Sequence, residues 1–340
     1  MRMVNMNKYL SLIIIFFFAL IVSACNNATN ADEKNIVIKM GTKMPKESLE
    51  GQMFEYFADT VHENSNGEIT IQLYPAEQLG KGTTQVDNIL NGTQQIYAEG
   101  ITYFSDLDPR VNLSSVPFLF RDFEHYQKFN KSELGQDIHN TLIENNVRIL
   151  NDERNFKRGP ERVLLSKEPV VSVDDLKGLK IRSFESKTYS EAYTHVASNP
   201  TVIAWTETYL ALNQNLVDAA TSPLSLVWGM KFTEVAPHMS MVDEYQQDIV
   251  LAMNEEFFQG LTDEHKNILI NAANKTGEVN NDRINEVVDE QLALMQEEHD
   301  IKIHEINKVE WSEAFEDFHY QMEEDGIAPK GTIDSIKSIE

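Results

Sequence analysis

The sequence predicts an α/β fold, and three observations carry that prediction. Strand-like and helix-like segments alternate along nearly the whole chain, the order that parallel crossovers produce. A long, mostly polar segment from Thr262 to about Glu298 keeps a narrow apolar stripe, the mark of a helix lying on the outside of a body. About 315 residues follow an apolar N-terminal stretch, enough for two domains of ordinary size.

The elements follow in order. Ile36 to Met40 reads as a first strand closed by Gly41. Leu49 to Asn64 has helical spacing, with Met53, Tyr56, Phe57 and Val61 on one face. Asn66-Gly67 turns the chain into a second strand, Ile69 to Tyr74, which alternates cleanly. Thr83 to Leu90 is helical and Gln95 to Ala98 forms a short strand. Phe123 to Asn145 holds one or two helices, and Val147 to Leu150 the next strand. Val163-Leu165, Leu179-Ile181, Val202-Ala204 and Ile249-Met253 are further strand candidates, with a helix over Lys187 to Ala197. In the long polar segment Gly277 interrupts any sustained heptad, which weighs against a coiled coil.

The N-terminus carries its own signal. Arg2 and Lys8 precede an apolar run, Leu10 to Val22, which ends in Ser23-Ala24-Cys25 and a polar stretch. This is the layout of a secretory signal, and the run is shorter than the ~20 residues of a spanning helix. An uncleaved helix retained in the bilayer is the competing reading. Val22-Ser23-Ala24-Cys25 resembles the lipobox of bacterial lipoproteins. Cys25 is the only cysteine, so it has no disulfide partner within the chain. The expectation is a signal peptide over 1–24 and an acylated Cys25, with a tether over 25–34. That puts the protein on the extracytoplasmic face of the cell membrane. The formal charge of −25, more negative still without Arg2 and Lys8, argues against binding nucleic acid or anionic lipid through the general surface.

Several segments in collinear order resemble TRAP transporter solute-binding proteins, the DctP-like family. Leu73-Tyr74-Pro75-Ala76-Glu77-Gln78-Leu79-Gly80 is similar to its YPxxQLG motif, and Asn91-Gly92 through Ala98-Glu99 to its G…E strand. Val173 to Arg182, with Asp174-Asp175-Leu176-Lys177-Gly178-Leu179-Lys180-Ile181, resembles its most recognisable segment. Asn199-Pro200-Thr201, Ala204 to Leu212, Val217-Asp218 and Ser222-Pro223-Leu224 continue the pattern. Asn215 and Ala219 stand where the family usually has glycine; asparagine tolerates left-handed backbone angles.

The resemblance implies two α/β lobes of the periplasmic-binding-protein type, a cleft between them and a long helix spanning the hinge. It places lobe one near 35–159 plus 248–287, lobe two near 160–247 plus 288–325, and a C-terminal tail over 326–340. It implies capture of a carboxylate-bearing solute for a sodium-coupled permease, without chemistry on the ligand and without a cofactor.

By the resemblance, Arg182 is the carboxylate-clamping arginine. A guanidinium makes two parallel hydrogen bonds to a carboxylate, which lysine cannot copy. Arg162 suits the second cleft arginine, although Arg154, Lys157 and Arg158 crowd the same stretch. Trp205 is placed against the ligand's carbon skeleton, and Glu99 to accept hydrogen bonds from ligand hydroxyl or amino groups. Ser222 departs from an asparagine common in sugar-acid and dicarboxylate binders of the family, so the ligand differs in size or is reached through water. Glu47 and Ser48 lie in the first strand–helix loop, lining the cleft from lobe one. The ligand class stays open among sugar acids, dicarboxylates, keto acids and zwitterions such as ectoine.

Other chemistries lack their residues. There is no Gly-x-Ser-x-Gly elbow, and His304-Glu305 lacks the second histidine of a zinc-protease helix. The nine histidines are scattered without ligand spacing, so no metal site is expected. Gly80-Lys81-Gly82-Thr83-Thr84 is no phosphate loop, because position 75 is Pro75. A binding protein of an ATP-driven importer is the nearest alternative, followed by a non-transport surface lipoprotein.

Overall fold

The computed structural model describes residues 35–340. The expected signal peptide, Cys25 and the tether lie outside the described residues.

Two sheets organise the chain. The first contains β1 (Ile36–Thr42), β2 (Ile69–Tyr74), β3 (Ile96–Glu99), β4 (Val147–Ile149) and β10 (Val250–Asn254), in the order β2-β1-β3-β10-β4. The second contains β5 (Arg162–Ser166), β6 (Lys180–Ser183), β7 (Asn199–Val202), β8 (Ala219–Pro223), β9 (His238–Met241) and β11 (Lys302–Glu305), in the order β11-β9-β5-β8-β6-β7. Helices α1 (Leu49–Asn64), α2 (Gly82–Leu90), α3 (Phe123–Lys131) and α4 (Glu133–Glu144) accompany the first sheet. Helices α5 (Lys187–His195), α6 (Thr208–Asn213) and α7 (Leu224–Val227) accompany the second. The chain continues through α8 (Glu255–Gln259), α9 (Asp263–His299), α10 (Lys308–Glu324) and α11 (Thr332–Lys337).

Local chemistry sets these elements. Ser48 caps α1 by accepting from Gly51 N, and the helix buries Met53, Phe54, Phe57 and Val61. In the first lobe β3 and β10 are buried throughout, as strands covered on both faces must be. Asn215 takes φ 61°, the left-handed angle for which asparagine is suited.

Each sheet is discontinuous in sequence, so the chain crosses between lobes after β4, after β9 and along α9. The first two crossings pair with each other. Arg158 N donates to Gln247 O and Ile249 N to Phe156 O, both at 2.9 Å. Asparagines of α9 then clasp the first crossing: Asn281 Nδ2 donates to Asn155 O at 2.6 Å and Asn280 Nδ2 to Lys157 O at 2.8 Å. Gly277 sits in this seat. A Cβ there would stand 2.3 Å from Asn155 Oδ1 and 3.0 Å from Phe156 N. Close approach of the crossing therefore explains the glycine inside a helix. Gly277→Ala is expected to lower the melting temperature, overpacking costing about 1–3 kcal/mol against a helix-propensity gain of about 1 kcal/mol. Stability equal to or above wild type in thermal unfolding would refute the tight seat.

Several elements escape the periodicity reading. β8 reads Ala-Ala-Thr-Ser-Pro, five small or polar residues with no alternation, yet it is wholly buried in mid-sheet. The strand expected at Val202–Ala204 is Asn199–Val202 instead, and as an edge strand it accommodates Pro200. The stretch expected as a C-terminal tail folds back: α11 buries Ile333 and Ile336, and Arg121 donates to the carbonyls of Lys337 and Ile339. Among the described residues no helix is long and apolar enough to cross a membrane.

Candidate ligand-binding site

The cleft between the sheets narrows to a cavity of ≈ 30 Å³. Each lobe and both crossings contribute to its wall. Lys43, Met44 and Tyr103 come from the first lobe, while Arg182, Phe184, Trp205, Pro223 and Leu226 come from the second. Arg158, Arg162, Tyr245 and Gln247 come from the crossing segments and the start of β5. Residues on the hinge thus touch the same space as residues on both lobes. Away from the cavity lining, Lys81 meets Glu207 at 2.7 Å and Thr206 Oγ1 donates to Glu77 at 2.7 Å, joining the lobes.

Three buried arginines line this cavity, and they differ in how their charge is met. Arg162, at the head of β5, spends its guanidinium on protein. Nε donates to Glu244 at 3.0 Å, Nη1 to Gln247 Oε1 at 3.0 Å and Nη2 to Thr221 Oγ1 at 3.1 Å. Its face lies 4.0 Å from the centre of the Tyr245 ring. Burial opposes its charge, but Tyr245 and Glu244 outweigh burial and raise its pKa.

Arg158 is shared by two carboxylates. Nε and Nη2 donate to Glu50 at 2.9 and 2.8 Å, and Nη1 donates to Glu99. The two acids shift in opposite directions. For Glu50 burial dominates and raises the pKa despite Arg158. For Glu99 burial is outweighed by Arg158 and Lys43, whose Nζ is 3.3 Å away, with Gly100 N–H also donating; its pKa falls to about 2. On acidification Glu50 therefore takes up its proton before Glu99.

Arg182, on β6, is different. Its Nε donates to Ile203 O at 3.0 Å, and among the described residues its two terminal amino groups have no partner and it has no carboxylate. It is 5% exposed, stacked between Trp205 at 5.5 Å and Phe184 at 6.0 Å. Burial pushes its pKa below the ordinary arginine value, with Tyr103 and Tyr189 only partly offsetting this. Around the cavity four cations (Lys43, Arg158, Arg162, Arg182) stand against three carboxylates (Glu50, Glu99, Glu244). A buried charge left over in this way is costly unless an anion joins it.

Of the residues expected from sequence, Arg182, Arg162 and Trp205 meet in this cavity. Glu99 does not line it. Its carboxylate is wholly buried and committed to Arg158 and Lys43, so an internal ion pair replaces the expected ligand contact. Ser222 is also corrected. It is fully buried, its hydroxyl donates to Pro223 O, and strand alternation turns its neighbours Thr221 and Pro223 toward the arginines instead. Glu47 and Ser48 line a separate cavity of ≈ 240 Å³, and Ser48 spends its hydroxyl on the α1 cap. Arg158, Lys43 and Tyr245 were not singled out for the cavity. The charge cluster 154–162 was the only pointer to Arg158, and Arg154 of that cluster is taken by Asp248.

Residues 40–325 match the family profile described as DctP, bacterial extracellular solute-binding protein, family 7. The chain belongs to this family. One relative, the sialic acid-binding periplasmic protein SiaP of Vibrio cholerae, is 31% identical over 246 residues, 71% of this chain and 74% of that protein. The C4-dicarboxylate-binding protein DctB of Bacillus subtilis is 24% identical over 294 residues, covering 86% and 83% respectively. Among solved structures, a TRAP periplasmic solute-binding protein of Sulfurospirillum deleyianum with bound succinate superposes with a TM-score of 0.82 at 24% identity, over 90% of this chain and 99% of that one. The two-lobed architecture is thus that of TRAP solute-binding proteins. Among the described residues, no cluster of three or more His, Cys, Asp or Glu is placed to hold a metal ion.

Proposed function

We propose that this family 7 protein captures a small organic carboxylate on Arg182 and delivers it, chemically unchanged, to a sodium-coupled permease of the TRAP type. The single observation that carries this reading is the buried Arg182 guanidinium, which lines the cavity and among the described residues has no carboxylate partner and no hydrogen bond through its Nη groups. A carboxylate accepts both N–H groups in parallel and neutralises the surplus charge. Arg162 adds a second positive group nearby, already held in place by Glu244 and Gln247. Trp205 presents an apolar face to the ligand beside Arg182. The family match favours a TRAP permease over an ATP-driven importer as the partner.

Acylation at Cys25 would keep the receptor beside its permease, at high effective concentration. Mass spectrometry of the N-terminal peptide tests the anchor. A thermal-shift screen with carboxylates of several classes tests the function, because a ligand that binds only the folded state raises the melting temperature. At a concentration of 100 times Kd the stabilisation is about 2.7 kcal/mol. No shift with any organic carboxylate would overturn the assignment.

A further inference from the structure

We infer that Glu77, Lys81, Thr206 and Glu207 form a cross-lobe clasp that positions Trp205 and holds the cleft closed beside Arg182. None of the four lines the arginine cavity, so the clasp raises affinity without touching the ligand. The affinity test of this inference rests on the carboxylate reading; its scattering test does not.

The bonds are the first argument. Thr206 Oγ1 donates to Glu77 and Lys81 Nζ to Glu207, both at 2.7 Å, across 129 and 126 positions of chain. On the second lobe the two partners directly follow Trp205, in the turn Trp205–Glu207 between β7 and α6. Trp205 lies against Arg182, its ring centre 5.5 Å from the guanidinium carbon. A clasp on Thr206 and Glu207 therefore fixes the backbone that carries Trp205. Next to Lys81, Gly82 lets the lobes approach. A Cβ there would stand 2.2 Å from Tyr103 Cε1 of the first lobe and 3.1 Å from Glu185 Oε2 of the second.

The build of the first-lobe half is the second. Glu77 and Lys81 belong to the connection between β2 and α2, which carries the Leu73–Gly80 motif. Ala76 and Glu77 take φ 49° and 61°, two consecutive side-chain-bearing residues in the left-handed region. Such strain persists only where the surroundings over-determine it. Here Ala76 N donates to Met44 O and Glu77 N to Thr42 O, both at 3.0 Å, while Gln85 Nε2 ties Gly80 O at 2.8 Å. The loop is thus pinned to the backbone of Met44, which lines the cavity, and the Glu77 carboxylate meets Thr206.

Charge is the third. Lys81 faces three carboxylates, Glu77 of its own loop and Glu185 and Glu207 of the second lobe. The chain carries a formal charge of −25, so self-repulsion opposes the approach of its parts, and a cation at the junction offsets it.

Thr206→Val, Lys81→Glu and the exchange Lys81→Glu with Glu207→Lys test the clasp, by calorimetry with succinate, pyruvate, D-gluconate and D-glucuronate as probes. Thr206→Val should weaken the probe that binds about two- to tenfold, the range for one hydrogen bond. Lys81→Glu should weaken it at least about fivefold, because repulsion replaces attraction. The exchange should restore affinity to within about threefold of wild type, and high salt should shrink the Lys81→Glu deficit by screening exposed charges. In small-angle X-ray scattering without ligand, Lys81→Glu should have a larger radius of gyration than wild type. Wild-type affinity in either single variant would overturn the inference and leave the carboxylate reading standing. So would a Lys81→Glu deficit that the exchange leaves in place. If no probe binds, the carboxylate reading falls and scattering decides: equal radii of gyration in Lys81→Glu and wild type overturn the clasp.

Discussion

Arg182→Met is expected to abolish ligand binding while leaving the ligand-free protein at least as stable as wild type. Removing one partner of a buried, hydrogen-bonded charge pair costs about 3–5 kcal/mol, a loss of roughly two to nearly four orders of magnitude in affinity. The stability side follows from the same geometry. In the free protein Arg182 is a desolvated cation without a carboxylate, held by one hydrogen bond to Ile203 O. Methionine keeps an unbranched stem against Trp205 and Phe184 and removes the buried charge. Arg182→Lys should also bind poorly, because an ammonium cannot make the two parallel bonds. Calorimetry and thermal unfolding of both variants read the two effects separately. A variant that lost stability and binding together would make Arg182 a structural residue.

Arg158→Met is expected to do the opposite. This guanidinium is held between Glu50 and Glu99 in the same wall, so its loss strands Glu50, leaves Glu99 with Lys43 alone, and should cost about 3–5 kcal/mol of stability at neutral pH. The pH dependence identifies the cause. In the native protein Glu99 has a pKa of about 2, below its ordinary 4.5, so its contribution is complete above 4.5 and fades as pH falls toward 2. Without Arg158, burial would raise Glu50 further above its unfolded value, and Glu99, left with Lys43 and the Gly100 N–H, would lose its largest lowering influence. Their penalty would then be absent below the ordinary carboxyl range and would grow as pH rises through the folded pKa values. The deficit relative to wild type should therefore shrink on acidification. A deficit constant from pH 7 to pH 4 would contradict the ion-pair account.

Much of the first lobe was legible because its strands and helices carry clean periodicities. Leu49–Asn64 and Ile69–Tyr74 form the expected elements over the expected residues. The second lobe was harder. β8 is buried by its neighbours rather than by its own apolar pattern, and α10 and β11 gave no strong signal either. In the site, the resemblance led to Arg182, Arg162 and Trp205, and these residues converge. The roles expected for Glu99 and Ser222 did not survive, because a residue type cannot say which partner its side chain meets. Glu99 met Arg158 across 59 positions, a pairing that no local spacing encodes. Gly277 read as a break in a helical stripe, while its cause lies in the crossing packed against it.

A crystal structure of the protein with a bound carboxylate identified by the thermal-shift screen tests the central claim most directly. Both carboxylate oxygens should lie within hydrogen-bond distance, about 2.7–2.9 Å, of the two terminal nitrogens of Arg182, with Arg162 retaining Glu244 and Gln247. A carboxylate seated elsewhere, with the Arg182 amino groups still unpaired, would contradict the account.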